Sequence, residues 1–319
     1  MLVHTALGFT TLLTVTQLAL AAPSRLEHEP NVRRSPNIAS RPVCQTRYGP
    51  KSPAEGAIPI NPQTATTACP VYANQTIEIP VFPYVPYRYN KTLENNYFNQ
   101  THLMKGINDI NRLYAQYKPR IRFKMQPPKY KLVTTDAEWA YLHSIDPYIE
   151  QDIVDLNEKL TIPARGTLAQ RGSNQMRELW LYVLPQLGFP FLHDGVYMSA
   201  RTWFRDQATF AHEIGHWLRL RHTFDGGCTG TDFVSDTPPW DYIPGEFNAL
   251  LCKGSEGYDW NKIENPCGRS KGEAIKNIKN IMSYSDDHCQ SEFTWGQRKR
   301  YWDAATNYRV FKPICGPVQ

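Results

Sequence analysis

Beyond its first 22 residues the chain has no stretch approaching the ~18 consecutive apolar residues that a membrane-spanning helix needs, so no membrane partner is expected. It also lacks a dense lysine/arginine cluster interleaved with aromatics. A formal charge of +5 over 319 residues is mild, so no nucleic-acid partner is expected either. No internal repeat is present, which excludes a solenoid or other repeat array. Lysine and arginine are missing from the residues that precede the N-terminal apolar stretch, where His4 is the only basic side chain.

That stretch, residues 5–22, is apolar and small and ends in Ala19-Leu20-Ala21-Ala22. Its length and its Thr and Gln residues suit a signal peptide cleaved after Ala21, and imply a secreted, extracellular protein. Residues 22–64 hold Pro23, Pro30, Pro36, Pro42, Pro50 and Pro53 among polar side chains, with no apolar periodicity to build a core. They are expected to be a pro-segment or flexible arm. Arg33-Arg34 within them is either a dibasic processing site or a basic spot in a linker. Asn74, Asn90 and Asn99 each open an Asn-x-Thr sequon and are candidate glycosylation sites on one exposed face.

Seven cysteines should largely pair in an oxidising compartment. Spacing alone leaves open all three pairings of Cys228, Cys252, Cys267 and Cys289. Cys44, Cys69 and Cys315 are left: Cys69 with Cys315 would join the chain ends, Cys44 with Cys69 is the other bridge, and a leftover Cys44 thiol could instead reach a metal.

The chemistry is concentrated in His212-Glu213-Ile214-Gly215-His216 and in His222 six residues on. On an α-helix, positions i and i+4 share a face, so the imidazoles of His212 and His216 can converge on one ion with Glu213 beside it. A continuing helix would carry His222 about 240° away from His216, so the chain must turn near Leu218 to Leu220 to deliver a third imidazole. Three protein ligands and one open position are what a hydrolytic Zn2+ needs to hold a water. His212, His216 and His222 are therefore candidate zinc ligands and Glu213 the candidate catalytic base. Asp225, Asp232, Asp236, Asp286 and Asp287 have the oxygen chemistry of a Ca2+ site, and equally that of local turn caps.

The motif resembles the long zinc signature of the metzincin metallopeptidases, H-E-x-x-H-x-x-G-x-x-H, except that Arg219 stands where those enzymes have the glycine that ends the helix. The surroundings are similar to the pappalysin-like branch of secreted fungal and bacterial enzymes. They include Gly215-His216-Trp217-Leu218, His222-Thr223-Phe224, Gly226-Gly227-Cys228, Val234-Ser235-Asp236-Thr237-Pro238, and Asn280-Ile281-Met282-Ser283-Tyr284 followed by Cys289 and Phe293-Thr294. The resemblance implies that Met282 forms a methionine turn under the metal and that Tyr284 faces the metal or the reacting carbonyl. It also implies disulfides Cys228–Cys267 and Cys252–Cys289. By itself Met282 would be core filler and Tyr284 a half-buried tyrosine.

Periodicity places strands at Thr76 to Val81, Ile121 to Met125, Leu179 to Leu184 and Gly195 to Ser199. Helices are expected at Leu103 to Tyr117 and Gln297 to Tyr308. The expected fold is α+β, one domain over 65–319. Its upper lobe, about 65–218, would hold a twisted mixed sheet with helices; its lower lobe, about 219–319, would be irregular, stapled by disulfides and closed by a C-terminal helix. The function expected is a zinc endopeptidase acting as a monomer on protein or peptide substrates; the resemblance implies that they would lie along the strand at Val196 to Ser199. The alternative is a secreted protein of the same fold that binds partners with weak or no peptidase activity, for which Arg219 is the motive.

Overall fold

A computed structural model of the chain describes residues 74–88, 99–144, 155, 157–165, 177–184, 195–199, 207–241, 267–285 and 289–315. The signal peptide, the arm with Arg33-Arg34, Cys44 and Cys69, and also Asn90, Cys252, Asp286 and Asp287 lie outside the described residues.

Among the described residues six strands form one mixed sheet: β1 (Gln75–Arg88), β2 (Arg120–Met125), β3 (Lys129–Val133), β4 (Leu179–Leu184), β5 (Gly195–Ser199) and β6 (Ile314–Cys315). The main order is β2-β1-β4-β5, all parallel, and β3 also pairs with β1 in parallel. Only β6 runs antiparallel, pairing Gln75 with Cys315 and Thr76 with Ile314. Among the described residues β5 is the last strand on its side. The sequence of β4, Leu-Trp-Leu-Tyr-Val-Leu, is buried on both faces, as a central parallel strand must be.

The first strand runs seven residues past the expected Val81, through Pro83 and Pro86. Proline removes a ladder donor, which argues against a central strand. The register shows how β1 tolerates it. Strand β2 pairs with 76–81, β3 with 84–88 and β4 with 81–84, so Pro80, Pro83 and Pro86 each fall where only one side of β1 is paired among the described strands. The missing N–H is then one that no ladder requires.

Among the described residues six α-helices accompany the sheet: α1 (Gln100–Ala115), α2 (Asp136–Ser144), α3 (Ile162–Arg165), α4 (Gln207–Trp217), α5 (Lys271–Lys279) and α6 (Trp295–Asp303). Helix α1 buries Leu103, Ile107, Ile110 and Tyr114, one stripe at helical spacing. Its N-cap is the candidate glycan-bearing Asn99, whose side chain accepts from the His102 amide at 3.0 Å; Asn74 is exposed. The core between α1, the sheet and α4 joins Ile77, Ile79, Leu181, Val196, Ile214 and Trp217.

The region after α4 is less irregular than expected. Helix α5 lies inside it, opened by a capping box in which Ser270 and Glu273 satisfy each other's backbone amides. Helix α6 opens with the same device, Thr294 with Gln297, and continues as a π-helical turn over Ala304–Tyr308. Cys228 and Cys267 are bonded to each other. Cys289 and Cys315 are also disulfide-bonded.

Candidate metal centre

Helix α4 carries the motif. Its sequence, Gln-Ala-Thr-Phe-Ala-His-Glu-Ile-Gly-His-Trp, buries Phe210, Ala211, Ile214 and Trp217 against the sheet, while His212, Glu213 and His216 are themselves at most 5% exposed. The helix stops in a Schellman motif. The Leu220 amide donates to the Gly215 carbonyl at 2.9 Å and the Arg219 amide to the His216 carbonyl at 2.8 Å. The residue this motif sets in the left-handed region is Arg219, at φ 68°. A side chain there costs about 1–2 kcal/mol relative to glycine.

This turn redirects the chain as the spacing of the histidines requires. His216 Nε2 lies 3.0 Å from His212 Nε2 and 3.0 Å from His222 Nε2. The outer nitrogens have their own partners. His212 Nδ1 lies 2.7 Å from the Ile281 carbonyl, His216 Nδ1 lies 2.9 Å from the Leu220 carbonyl, and His222 Nδ1 is 3.5 Å from Asp225 Oδ1. A carbonyl can only accept, so Nδ1 of His212 and of His216 must carry the proton, which leaves both Nε2 lone pairs pointing inward. Burial, followed by the charge of the neighbouring histidines, pushes the His216 and His222 pKa values well below 6.5, so both rings are neutral.

Converging imidazole lone pairs repel unless a cation sits among them. Tetrahedral Zn–N bonds of ~2.0–2.1 Å imply an N···N spacing of about 3.3 Å, close to the spacing here. Among the described residues these three histidines are the one group of three or more His, Cys, Asp or Glu side chains that could hold a metal ion. The donor set fits zinc.

The aspartates are used differently. Asp236 accepts from Thr294 Oγ1 at 2.7 Å and from the Gly296 amide at 2.9 Å, capping α6 from a distant segment. Asp232 is buried, accepts from the Val234 amide at 3.0 Å, and has its pKa pushed up to about 7 by burial. Asp225 sits behind His222, its pKa raised to about 6, again by burial. None of the three joins a calcium-type cluster among the described residues.

Met282 is fully buried under α4, and a Cβ on Gly215 would run into its sulfur, so the glycine within the motif is what lets the methionine turn approach. The turn is tied on by the Ile281 carbonyl at His212 and by the Thr223 amide, which donates to the Met282 carbonyl at 3.2 Å. Tyr284 stands among the histidines, with ring centroids 4.8 Å from His222 and 5.8 Å from His212, and Phe224 lies parallel to His222 at 4.6 Å.

Two residues whose roles the sequence did not reveal hold the turn from below. The side-chain amides of Asn280 and Gln297, both buried, bond each other twice, at 2.9 and 3.0 Å, while Asn280 Oδ1 also accepts from the Met282 amide. The Thr-x-x-Gln capping pattern at 294–297 was the available signal for Gln297. Arg300 and Arg309 had none. Arg300 Nε donates to the Arg219 carbonyl at 2.9 Å, and the fully buried Arg309 donates through Nη2 to the Trp217 carbonyl at 3.0 Å.

The family model described as pregnancy-associated plasma protein-A, a peptidase family, matches residues 186–305. An extracellular metalloprotease of Verticillium alfalfae is 41% identical over 131 residues, covering 38% of this chain and 40% of that protein. One from Neurospora crassa is 29% identical over 258 residues, with 72% and 76% covered. One from Sordaria macrospora is 27% identical over 269 residues, with 77% and 80% covered. The chain thus spans about two-fifths of the first of these relatives and about three-quarters or more of the other two. The family match covers residues 186–305, a stretch that contains α4, all three histidines and Met282, and over that stretch the chain is similar to this peptidase family.

Proposed function

We propose that the protein is a secreted zinc-dependent endopeptidase in which His212, His216 and His222 hold the metal and Glu213 is the general base. The observation that carries this is the convergence of three Nε2 atoms, with Nδ1 of His212 and His216 turned to carbonyls, on the helix turn that also bears Glu213. When bound, zinc supplies Lewis-acid polarisation of a carbonyl and acidification of a water. Glu213, 2% exposed, takes a proton from the attacking water on its carboxylate and delivers it to the departing amine nitrogen, so one carboxyl serves as base and then acid. Water adds to the carbonyl carbon, forming the C–O bond, and the C–N bond then breaks as the amine takes the proton that Glu213 carries; water is the only co-reactant. Tyr284, whose ring borders His212 and His222, is the side chain we assign to the reacting carbonyl.

Protein or peptide substrates would run extended along the β5 side of the sheet, between an upper lobe (65–218) and a lower lobe (219–319). The signal peptide (1–21) and pro-segment or arm (22–64) belong to the same reading. So do a monomeric state, the Cys252–Cys289 bridge, and glycans at Asn74, Asn90 and Asn99. The relatives' extracellular naming supports secretion. Among the described residues no helix is long and apolar enough to cross a membrane.

The test is cleavage of a denatured protein mixture by zinc-loaded wild type and by Glu213→Gln. The variant should retain stoichiometric zinc and lose about 10²–10⁴-fold in kcat. Equal activity in the two, insensitive to chelator, would overturn the reading; zinc binding without cleavage by the wild type would favour the binding-protein alternative.

A further inference from the structure

Arg219 is more than a tolerated departure from glycine. Its guanidinium carbon lies 4.3 Å from the centroid of the Tyr308 ring, at the end of the π-helical turn Ala304–Tyr308. The next residue, Arg309, reaches back in the opposite direction, donating to the Trp217 carbonyl with its guanidinium 3.9 Å from the Trp217 ring and 5.4 Å from that of Tyr308. The end of α4 therefore gives a carbonyl to the C-terminal segment and also lays a cation on it. Arg300 closes the same junction through the Arg219 carbonyl. Cations at a helix C-terminus are favourable, and a guanidinium over an aromatic face adds a further attraction.

The residue after Arg219 connects this junction to the metal. The Leu220 carbonyl partners His216 Nδ1, and two residues later the chain delivers His222. If Arg219 left the left-handed region, the Leu220 carbonyl would swing off His216 and His222 would be redirected. Backbone strain at φ 68° pushes toward that outcome, and the stack on Tyr308 opposes it.

We propose that Arg219 and Tyr308 form a latch that positions the metal site: Arg219 is a positioning residue whose side chain holds the turn carrying the Leu220 carbonyl and His222. The proposal rests on the metal-site reading above. It differs from mere tolerance of a side chain at residue 219, under which removing the cation or the ring would leave metal binding unchanged.

Zinc affinity of the metal-free full-length protein, measured by chelator competition, separates the two. Arg219→Ala keeps a side chain in the left-handed region without the cation; Tyr308→Leu removes the ring and leaves residue 219 untouched. Each should weaken zinc binding about ten-fold, the lower end of what loss of an outer-shell partner costs. Arg219→Gly, which removes the strain together with the stack, should bind more tightly than Arg219→Ala. Tyr308→Phe, which keeps the ring, should match wild type, and Arg219→Ala with Tyr308→Leu should be no weaker than either alone. Unchanged or tighter binding in Arg219→Ala, or unchanged binding in Tyr308→Leu, overturns the latch while leaving the metal site standing. Failure of the wild type to bind zinc overturns the metal-site reading and the latch with it.

Discussion

In the sheet, Ile79, Leu181 and Val196 are buried among aliphatic and aromatic neighbours, and their own strands supply the backbone hydrogen bonds. At the end of α4 the partners come from far away in sequence. The Trp217 and Arg219 carbonyls are met by Arg309 and Arg300, and beneath the helix the Asn280 side chain, which holds the Met282 amide two residues on, is met by Gln297. The first region is stabilised by non-directional apolar burial, which many side chains of similar volume can supply. The second depends on directional polar contacts, each worth little net but costly to leave half-made. Damage to the sheet should therefore appear in stability, and damage to the junction in the geometry of the metal centre.

The strongest way to sharpen that contrast is Leu181→Ala. Truncating a fully buried central-strand leucine should destabilise the fold by about 2–5 kcal/mol, read by denaturant unfolding, while kcat of the remaining folded fraction stays near wild type. A matching loss of zinc affinity would show that the sheet and the site are not separable.

Gln297→Leu probes the other region. It strands the buried Asn280 amide at a cost of about 1–3 kcal/mol. Because Asn280 holds the Met282 amide, zinc affinity should fall as well; an effect on stability alone would make the amide pair a core feature unconnected to the site.

The effect confined to one pH range should come from Asp232, whose pKa rises on folding from 3.8 to about 7 through burial. Between those values the folded state holds a proton that the unfolded state has released. This carboxyl's contribution is therefore complete below about pH 4 and is lost as pH climbs through about 7. Asp232→Asn keeps an acceptor for the Val234 amide and cannot ionise, so its stability should decline less across this window than that of the wild type. Parallel profiles would mean that Asp232 ionises at little cost.

Much of the architecture could be read directly from the pattern of side chains. Leu179–Leu184 and Gly195–Ser199 are strands with the expected bounds, because continuous apolar runs flanked by polar turns have few alternatives. Helix α1 begins three residues before the expected Leu103, where Asn99 caps it. Strand β1 exceeds its expected length because the permissive positions for Pro83 and Pro86 exist only once neighbouring strands set the register. Helix α5 was missed although Ser270 and Glu273 spell its start, since the prolines, glycines and cysteines before it dominate the composition.

In the site, the i,i+4 pair, the interposed glutamate and the need for a turn before His222 all follow from the sequence, because helical geometry is local and its period fixed. That Arg219 occupies the position usually given to glycine could be read there too. What holds it could not: Tyr308, Arg300 and Arg309 lie about 80 to 90 residues further along the chain, and no periodicity links them to residue 219. The same applies to Gly215, whose bare Cα matters because Met282 packs against it. Sequence alone determined which atoms could bind a metal and on which face of a helix two of the three ligands lie. Only the tertiary structure decided how the third ligand is delivered and what keeps the turn in place, because directional contacts between distant residues exist only after the chain has brought them together.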